Sequence, residues 1–169
     1  MNRVENLWIP TFAPQGYFLR GAGMTVQIKV AIFLYLADLY SEAGLAPSLT
    51  DSLRGDYLRW MIFYAGCFEP ALVDLAQKRE QAPAQMSPYG DFDTMFKTLT
   101  DHLAKGPYIL GEKYSVADIL WGTALNWMTK FKLLPTLPVI QAYVDRANAR
   151  PVVAKVREKD EALAAQLAS

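Results

Sequence analysis

Residues suited to chemistry are few in this chain, and their number limits what it could catalyse. There is one cysteine, Cys67, and one histidine, His102, among 169 residues. An internal disulfide and a zinc site built from several cysteines or histidines are therefore excluded. A serine nucleophile needs a neighbouring base. Because the chain has a single histidine, a serine–histidine–carboxylate triad is not indicated either. We predict no catalytic residue, no cofactor-binding residue and no metal site.

The residues that flank Cys67 and His102 in the sequence do not indicate that either side chain is reactive. Cys67 lies on an apolar helix face with no Lys, Arg or His close by in sequence to lower the thiol pKa, so we expect an inert core thiol. His102 is expected at the surface near a helix end, where its charge would be tolerated.

Ser115 and Asp118 form the most specific local pattern, and it is a structural one. A serine followed three residues later by an acidic residue predicts a capping box: the serine hydroxyl accepts from the Asp118 N–H, and the Asp118 carboxylate accepts from the Ser115 N–H. Tyr114 and Ile119 occupy the positions of a hydrophobic staple. The helix that follows is apolar on nearly its whole circumference, which predicts that it is the buried central helix.

Tyr57, Trp60 and Tyr64 are spaced to share one face of a predicted helix. Such a face could belong to the core, to a subunit interface or to the wall of a hydrophobic substrate pocket. We favour core or interface over pocket, and for Trp127 we clearly prefer the core. All four remain candidates for lining a substrate pocket.

The sequence predicts helices from Thr25 almost to the C-terminal end of the chain, and these helices must position the residues described above. Apolar residues recur there at helical spacing, interrupted by glycine- and proline-containing stretches such as residues 79–90. A long helix is predicted over about 51–78, with a kink at Pro70 because a proline inside a helix removes one hydrogen bond. The first 25 residues fit no helical period and predict an irregular arm with one short strand near residues 17–20.

Composition and charge exclude several classes of function. Lys and Arg total 17 and Asp and Glu total 17, so the net charge is zero. A nucleic-acid binder or a polybasic membrane-surface protein needs a basic excess that is absent here. The longest apolar run, 30–37, is far shorter than the roughly 20 residues of a membrane span. We therefore expect a soluble cytoplasmic protein that binds neither nucleic acid nor membrane.

A set of short motifs resembles the C-terminal, all-helical domain of the cytosolic glutathione transferases, particularly bacterial members. The resemblance runs from about Tyr35 to Val156. The motifs that carry it are Tyr35-Leu36-Ala37-Asp38, Gly44 to Pro47, Tyr57 to Trp60, Glu69-Pro70, Gly106 to Gly111, the capping box, Leu134-Pro135 with Pro138, and Arg150-Pro151.

The resemblance implies an all-α bundle of five or six helices and a division into three parts. Residues 1–25 would be an irregular N-terminal arm. Residues 26–41 would be the last helix of a thioredoxin-like domain, and 42–169 the helical domain. An apolar face shaped for the rest of the thioredoxin-like domain would be covered by the arm's aromatics or by a second copy of the chain.

The chain departs from the family where glutathione is held. The family places a Glu-Ser pair at the positions that Ile28 and Lys29 occupy here, and neither can replace a carboxylate–hydroxyl pair. The resemblance therefore implies a family protein whose conjugation of glutathione to hydrophobic electrophiles is impaired or absent in this chain alone. Glutathione would act as co-substrate only if the missing domain were supplied. The alternatives are a non-catalytic scaffolding module, acting through homodimerisation or a protein partner, and a carrier of small hydrophobic molecules.

Overall fold

The computed structural model describes residues 18–21, 24–27, 29–80 and 82–167. A short antiparallel hairpin of β1 (Phe18–Gly21) and β2 (Met24–Gln27) comes first. The helices that follow are α1 (Lys29–Leu39), α2 (Arg54–Phe63), α3 (Glu69–Ala76), α4 (Phe92–Leu103), α5 (Val116–Lys130), α6 (Pro138–Asn148) and α7 (Pro151–Leu167). The predicted all-α architecture is confirmed, and the hairpin is a small addition to it.

The first helix begins later than the sequence predicts. Its predicted start near residue 26 lies in β2, where Val26 pairs with Leu19, and helical structure begins at Lys29. Backbone hydrogen bonding across the hairpin takes precedence there over the helical spacing. Residues 1–17, which make up most of the predicted arm, lie outside the described part of the chain.

The long predicted helix over 51–78 is interrupted where the sequence predicts it, in the turn before Pro70. A π-helical turn at Tyr64–Phe68 separates α2 from α3, and Pro70 is the second residue of α3. The backbone stays helical at Phe63, Tyr64, Phe68 and Glu69, so Pro70 lies inside a continuous helix. A proline there lacks an N–H and its ring crowds the preceding turn, so the disturbance predicted at Pro70 takes the form of a π-helical turn directly before it.

Helix α5 lies at the centre of the bundle, as its apolar circumference predicts. Burial along α5 is concentrated in residues 116–125, and Ala117, Trp121 and Leu125 have no exposed surface. The indole Nε1 of Trp121 donates to the carbonyl oxygen of Trp60 at 3.2 Å, which joins α5 to α2. The helix packs against α1, α2 and α6.

The C-terminal helix α7 differs from the others. None of its residues is buried, and apolar side chains such as Val152, Val156 and Leu163 are more than half exposed. Near the start of α7, the Arg150 guanidinium lies 3.6 Å from the centre of the Tyr114 ring. None of the helices described is long and apolar enough to cross a membrane.

Candidate functional site

The aromatic face of α2 is part of the core. Tyr57, Trp60 and Tyr64 are at most 2% exposed. The rings of Trp60 and Tyr64 meet Trp121 of α5 edge to face, at centroid distances of 6.0 and 5.2 Å. The structure therefore places these three side chains in the position that the sequence favours, and their role in lining a substrate pocket stays a prediction.

The expectation that Trp127 belongs to the core is wrong. Its side chain is 55% exposed and stacks on Phe131, itself 62% exposed, with ring centroids 5.4 Å apart. Trp127 lies on the same face of α5 as Thr123 and Lys130, and all three are exposed, whereas the next residue, Met128, packs against the core. An apolar circumference identifies a central helix, but it does not show which face its neighbours leave open.

The predicted capping box is confirmed at the start of α5. The Asp118 carboxylate accepts the Ser115 N–H at 2.8 Å on Oδ2, and on Oδ1 it accepts the Ile109 N–H and the Tyr143 hydroxyl, both at 2.8 Å. Burial raises the pKa of Asp118, and these hydrogen bonds oppose the rise. Asp118 thus joins the preceding turn, the start of α5 and α6, and it has a structural role.

The expectation of a surface position for His102 is also wrong. The imidazole is half-buried and stacks on Trp60 of α2, with ring centroids 4.0 Å apart. Its Nε2 donates to the carbonyl oxygen of Ile109 at 2.8 Å. Burial lowers the pKa of His102 from its ordinary 6.5, despite the hydrogen bond to Ile109, which favours the charged form. The neutral ring is therefore the form that the fold stabilises.

This lowered pKa predicts a loss of stability in mild acid. The contribution of His102 is fully present above pH 6.5 and is lost as the pH falls through the lower pKa of the folded state, because the unfolded chain binds the proton first. We expect the urea midpoint to fall between about pH 8 and about pH 5 more in the parent than in His102→Phe, which keeps an aromatic ring against Trp60. Equal shifts in the two proteins would contradict the prediction.

Cys67 fits the description of an unreactive thiol, although it is only half-buried. Its Sγ donates to the carbonyl oxygen of Pro88 at 3.4 Å. Burial raises the pKa of the Cys67 thiol, which keeps it protonated at neutral pH and lowers its reactivity as a nucleophile.

A cluster of three polar residues that the sequence did not indicate joins α1 to the π-helical turn. The Nζ of Lys29 lies 3.0 Å from the Tyr64 hydroxyl and 2.5 Å from Oε1 of Glu69, and the Tyr64 hydroxyl donates to the same Oε1 at 3.0 Å. Burial raises the pKa of Tyr64 to about 12. The phenol therefore stays protonated at neutral pH and is no base for a thiol.

Glu69 also borders an open cavity of about 570 Å³. The walls are largely apolar, and the cavity lies beside α3 and the C-terminal half of α5. Its lining residues are Ala65, Glu69, Pro70, Leu72, Val73, Asp74, Arg79 and Met128. None of the four candidate pocket residues is among them. The Glu69-Pro70 motif was the signal in the sequence that could have located this site.

Comparison with known proteins gives consistent matches. The family model described as glutathione S-transferase, C-terminal domain, matches residues 89–146. The disulfide-bond oxidoreductase YfcG of Escherichia coli strain K12 is 29% identical over 128 residues, which are 72% of this chain and 58% of that protein. The chain therefore spans less than two thirds of the length of this curated relative.

Among solved structures, the chain is similar to a glutathione transferase from Methylococcus capsulatus strain Bath. The identity is 31% and the TM-score 0.70, over 89% of this chain and 76% of that one. A sphingomonad glutathione S-transferase complexed with glutathione is 26% identical with a TM-score of 0.63, over 84% and 71% of the two chains. BphK, a bacterial glutathione transferase whose structure was solved as a ternary complex, shares the fold of this chain. The identity is 24% and the TM-score 0.68, over 82% of this chain and 70% of that one.

Proposed function

Because the chain belongs to the glutathione transferase family, we propose that it provides the site for the hydrophobic electrophile in a glutathione conjugation reaction. In such a reaction the glutathione thiolate attacks an electrophilic carbon and displaces its leaving group. The helical chain would hold the electrophile, and a thioredoxin-like domain, joined to it or supplied separately, would bind and ionise glutathione.

The open cavity beside α3 is the observation that carries this proposal. Apolar walls with few polar groups are typical of sites for small hydrophobic molecules. Ala65, Leu72, Val73 and Met128 provide apolar surface on two sides. Trp127 is not among the residues that line this cavity, and its role in lining a substrate pocket stays a prediction.

The described residues offer little for activating a thiol, which supports a division of labour. Activation needs a positioned hydrogen-bond donor near the sulfur and contacts that orient the peptide. Lys29 occupies the position of a family glutathione-binding residue, and its ammonium group is already paired with Glu69 and Tyr64. Glutathione is therefore proposed as a co-substrate only where the other domain is present.

The name of the E. coli relative also suggests disulfide chemistry, but Cys67 does not favour it here. The half-buried thiol has a raised pKa, and reactive cysteines generally have lowered ones. Any such chemistry would have to use the sulfur of glutathione itself.

The proposal predicts that this chain alone binds an aromatic electrophile but does not conjugate it. Chlorodinitrobenzene should bind in equilibrium dialysis, and Val73→Asp should weaken binding about tenfold by placing a charge in the apolar wall. With glutathione added, absorbance should show only the uncatalysed rate. Asp93→Asn, an exposed change on α4, is the control.

Light scattering on the same samples separates this proposal from the scaffolding alternative. A stable oligomer that binds no aromatic ligand would favour a non-catalytic module. The exposed Leu58 and Ile62, one turn apart on α2, provide apolar surface for a homodimer. Turnover by the chain alone would contradict the division of labour. A cytoplasmic location stays a prediction.

A further inference from the structure

Glu69 is one of the residues that line the cavity, and one oxygen of its carboxylate already has partners. Oε1 accepts from Lys29 at 2.5 Å and from Tyr64 at 3.0 Å. Within the described residues, Oε2 has no hydrogen-bond partner. A carboxylate oxygen can accept two hydrogen bonds, so Glu69 keeps acceptor capacity at the cavity.

The Lys29 and Tyr64 contacts fix the position of this carboxylate. The Lys29 ammonium lies 4.8 Å from the centre of the Tyr64 ring, so the cation is held by both the ring and the carboxylate. Tyr64 is almost fully buried and cannot move without disturbing the core. A carboxylate restrained in this way loses less freedom when it binds a ligand.

The other acidic residue of the cavity is not available in the same way. Asp74 accepts from Arg79 at 2.9 Å on Oδ1 and from the Tyr89 hydroxyl at 2.5 Å on Oδ2. Arg79 balances the charge of Asp74 as Lys29 balances that of Glu69, but both oxygens of Asp74 have partners. Glu69 is therefore the better acceptor for a ligand in this cavity.

We infer that the cavity selects an apolar molecule carrying a protonated amine, whose N–H donates to Oε2 of Glu69. Glu69 is then a specificity-determining residue. A ligand carrying a carboxylate is disfavoured because Glu69 would repel it, and the donor among the lining side chains, Arg79, is already paired with Asp74. This inference rests on the proposed function, in which the cavity holds a hydrophobic molecule, and adds the polar group that the molecule carries.

Three probes of nearly the same shape test the inference: naphthylmethylamine, methylnaphthalene and naphthylacetate. We measure their dissociation constants at neutral pH by ligand-observed NMR. Because Glu69 is partly exposed, the amine should bind about fivefold more tightly than the neutral probe, which corresponds to about 1 kcal/mol. The carboxylate should bind more weakly than either.

Variants identify the residue responsible. Glu69→Gln keeps the size of the side chain and removes its charge, so the preference for the amine should disappear. Lys29→Met removes the cation that balances the charge of Glu69, while the Tyr64 hydroxyl still restrains the carboxylate, so the preference should increase. Asp74→Asn should retain it, and Asp93→Asn controls for general charge effects. Circular dichroism confirms that each variant is folded.

Each remaining outcome overturns the inference. Equal binding of the three probes, or tightest binding of the carboxylate, would leave a hydrophobic site in place and remove the role of Glu69. Loss of the preference in Asp74→Asn but not in Glu69→Gln would assign the selection to Asp74. Absence of binding by all three would remove the cavity as a ligand site, and with it the observation that carries the proposed function.

Discussion

Asp118→Ala is expected to lower the free energy of unfolding by about 3–5 kcal/mol, a large part of the total stability of a domain of this size. The substitution leaves four buried donors without their acceptor, namely the N–H groups of Ile109 and Ser115 and the hydroxyls of Ser115 and Tyr143. A buried donor without a partner costs about 1–3 kcal/mol, and losses within one network do not simply add. Urea unfolding followed by circular dichroism and tryptophan fluorescence measures the change.

Asp93→Ala is the matched control for Asp118→Ala. Asp93 is an exposed aspartate in the first turn of α4, and its substitution should change stability by no more than about 0.5 kcal/mol. The loss of stability in Asp118→Asn should lie between the losses in Asp118→Ala and Asp93→Ala. The amide keeps one acceptor oxygen but turns an N–H donor toward groups that also donate. Similar stabilities for Asp118→Ala and the parent would show that the network contributes little.

Gly122→Ala is expected to lower the free energy of unfolding by up to about 2 kcal/mol, although alanine favours helices more than glycine does. A Cβ atom at position 122 would lie 2.8 Å from the Cβ of Ala147 in α6, and neither atom can rotate away. Overpacking of this kind costs about 1–3 kcal/mol, against about 1 kcal/mol gained from helix propensity. Urea unfolding provides the measurement.

A second alanine variant and a double variant separate packing from propensity. A Cβ atom at Gly55, an exposed position in α2, meets nothing within 4 Å, so Gly55→Ala should raise stability by up to about 1 kcal/mol. Adding Ala147→Gly to Gly122→Ala should recover about 1 kcal/mol of coupling energy in a double-mutant cycle. Higher stability in Gly122→Ala than in the parent would mean that α5 and α6 are less closely packed than described.

The sequence predicts the all-α architecture, the central helix and the cap at Ser115 and Asp118, because these depend on local signals. Helical periodicity and a cap motif are set by residues within a few positions of one another. The start of α1 is the exception among local predictions, since β2 is defined by its pairing with β1.

The errors and omissions concern contacts between residues far apart in the chain. His102 is half-buried because Trp60, 42 positions earlier, stacks on it, and nothing near His102 in the sequence indicates that partner. Trp127 is exposed because it lies, with Thr123 and Lys130, on the face of α5 that the other described helices do not cover. The cavity combines residues of α3 with Met128, so only the assembled bundle reveals it.

Tyr64 and Glu69 are five residues apart, a spacing that an ordinary α-helix does not bring together, since its neighbours lie three and four positions apart. In the π-helical turn the Glu69 N–H reaches back to the carbonyl oxygen of Tyr64, five positions earlier. The phase of the helix is shifted there, and the shift turns Glu69 toward both Tyr64 and Lys29. Backbone winding and ligand preference are therefore coupled: rewinding this turn into a regular α-helix would swing the carboxylate out of register and abolish discrimination between amines and acids without altering any side chain.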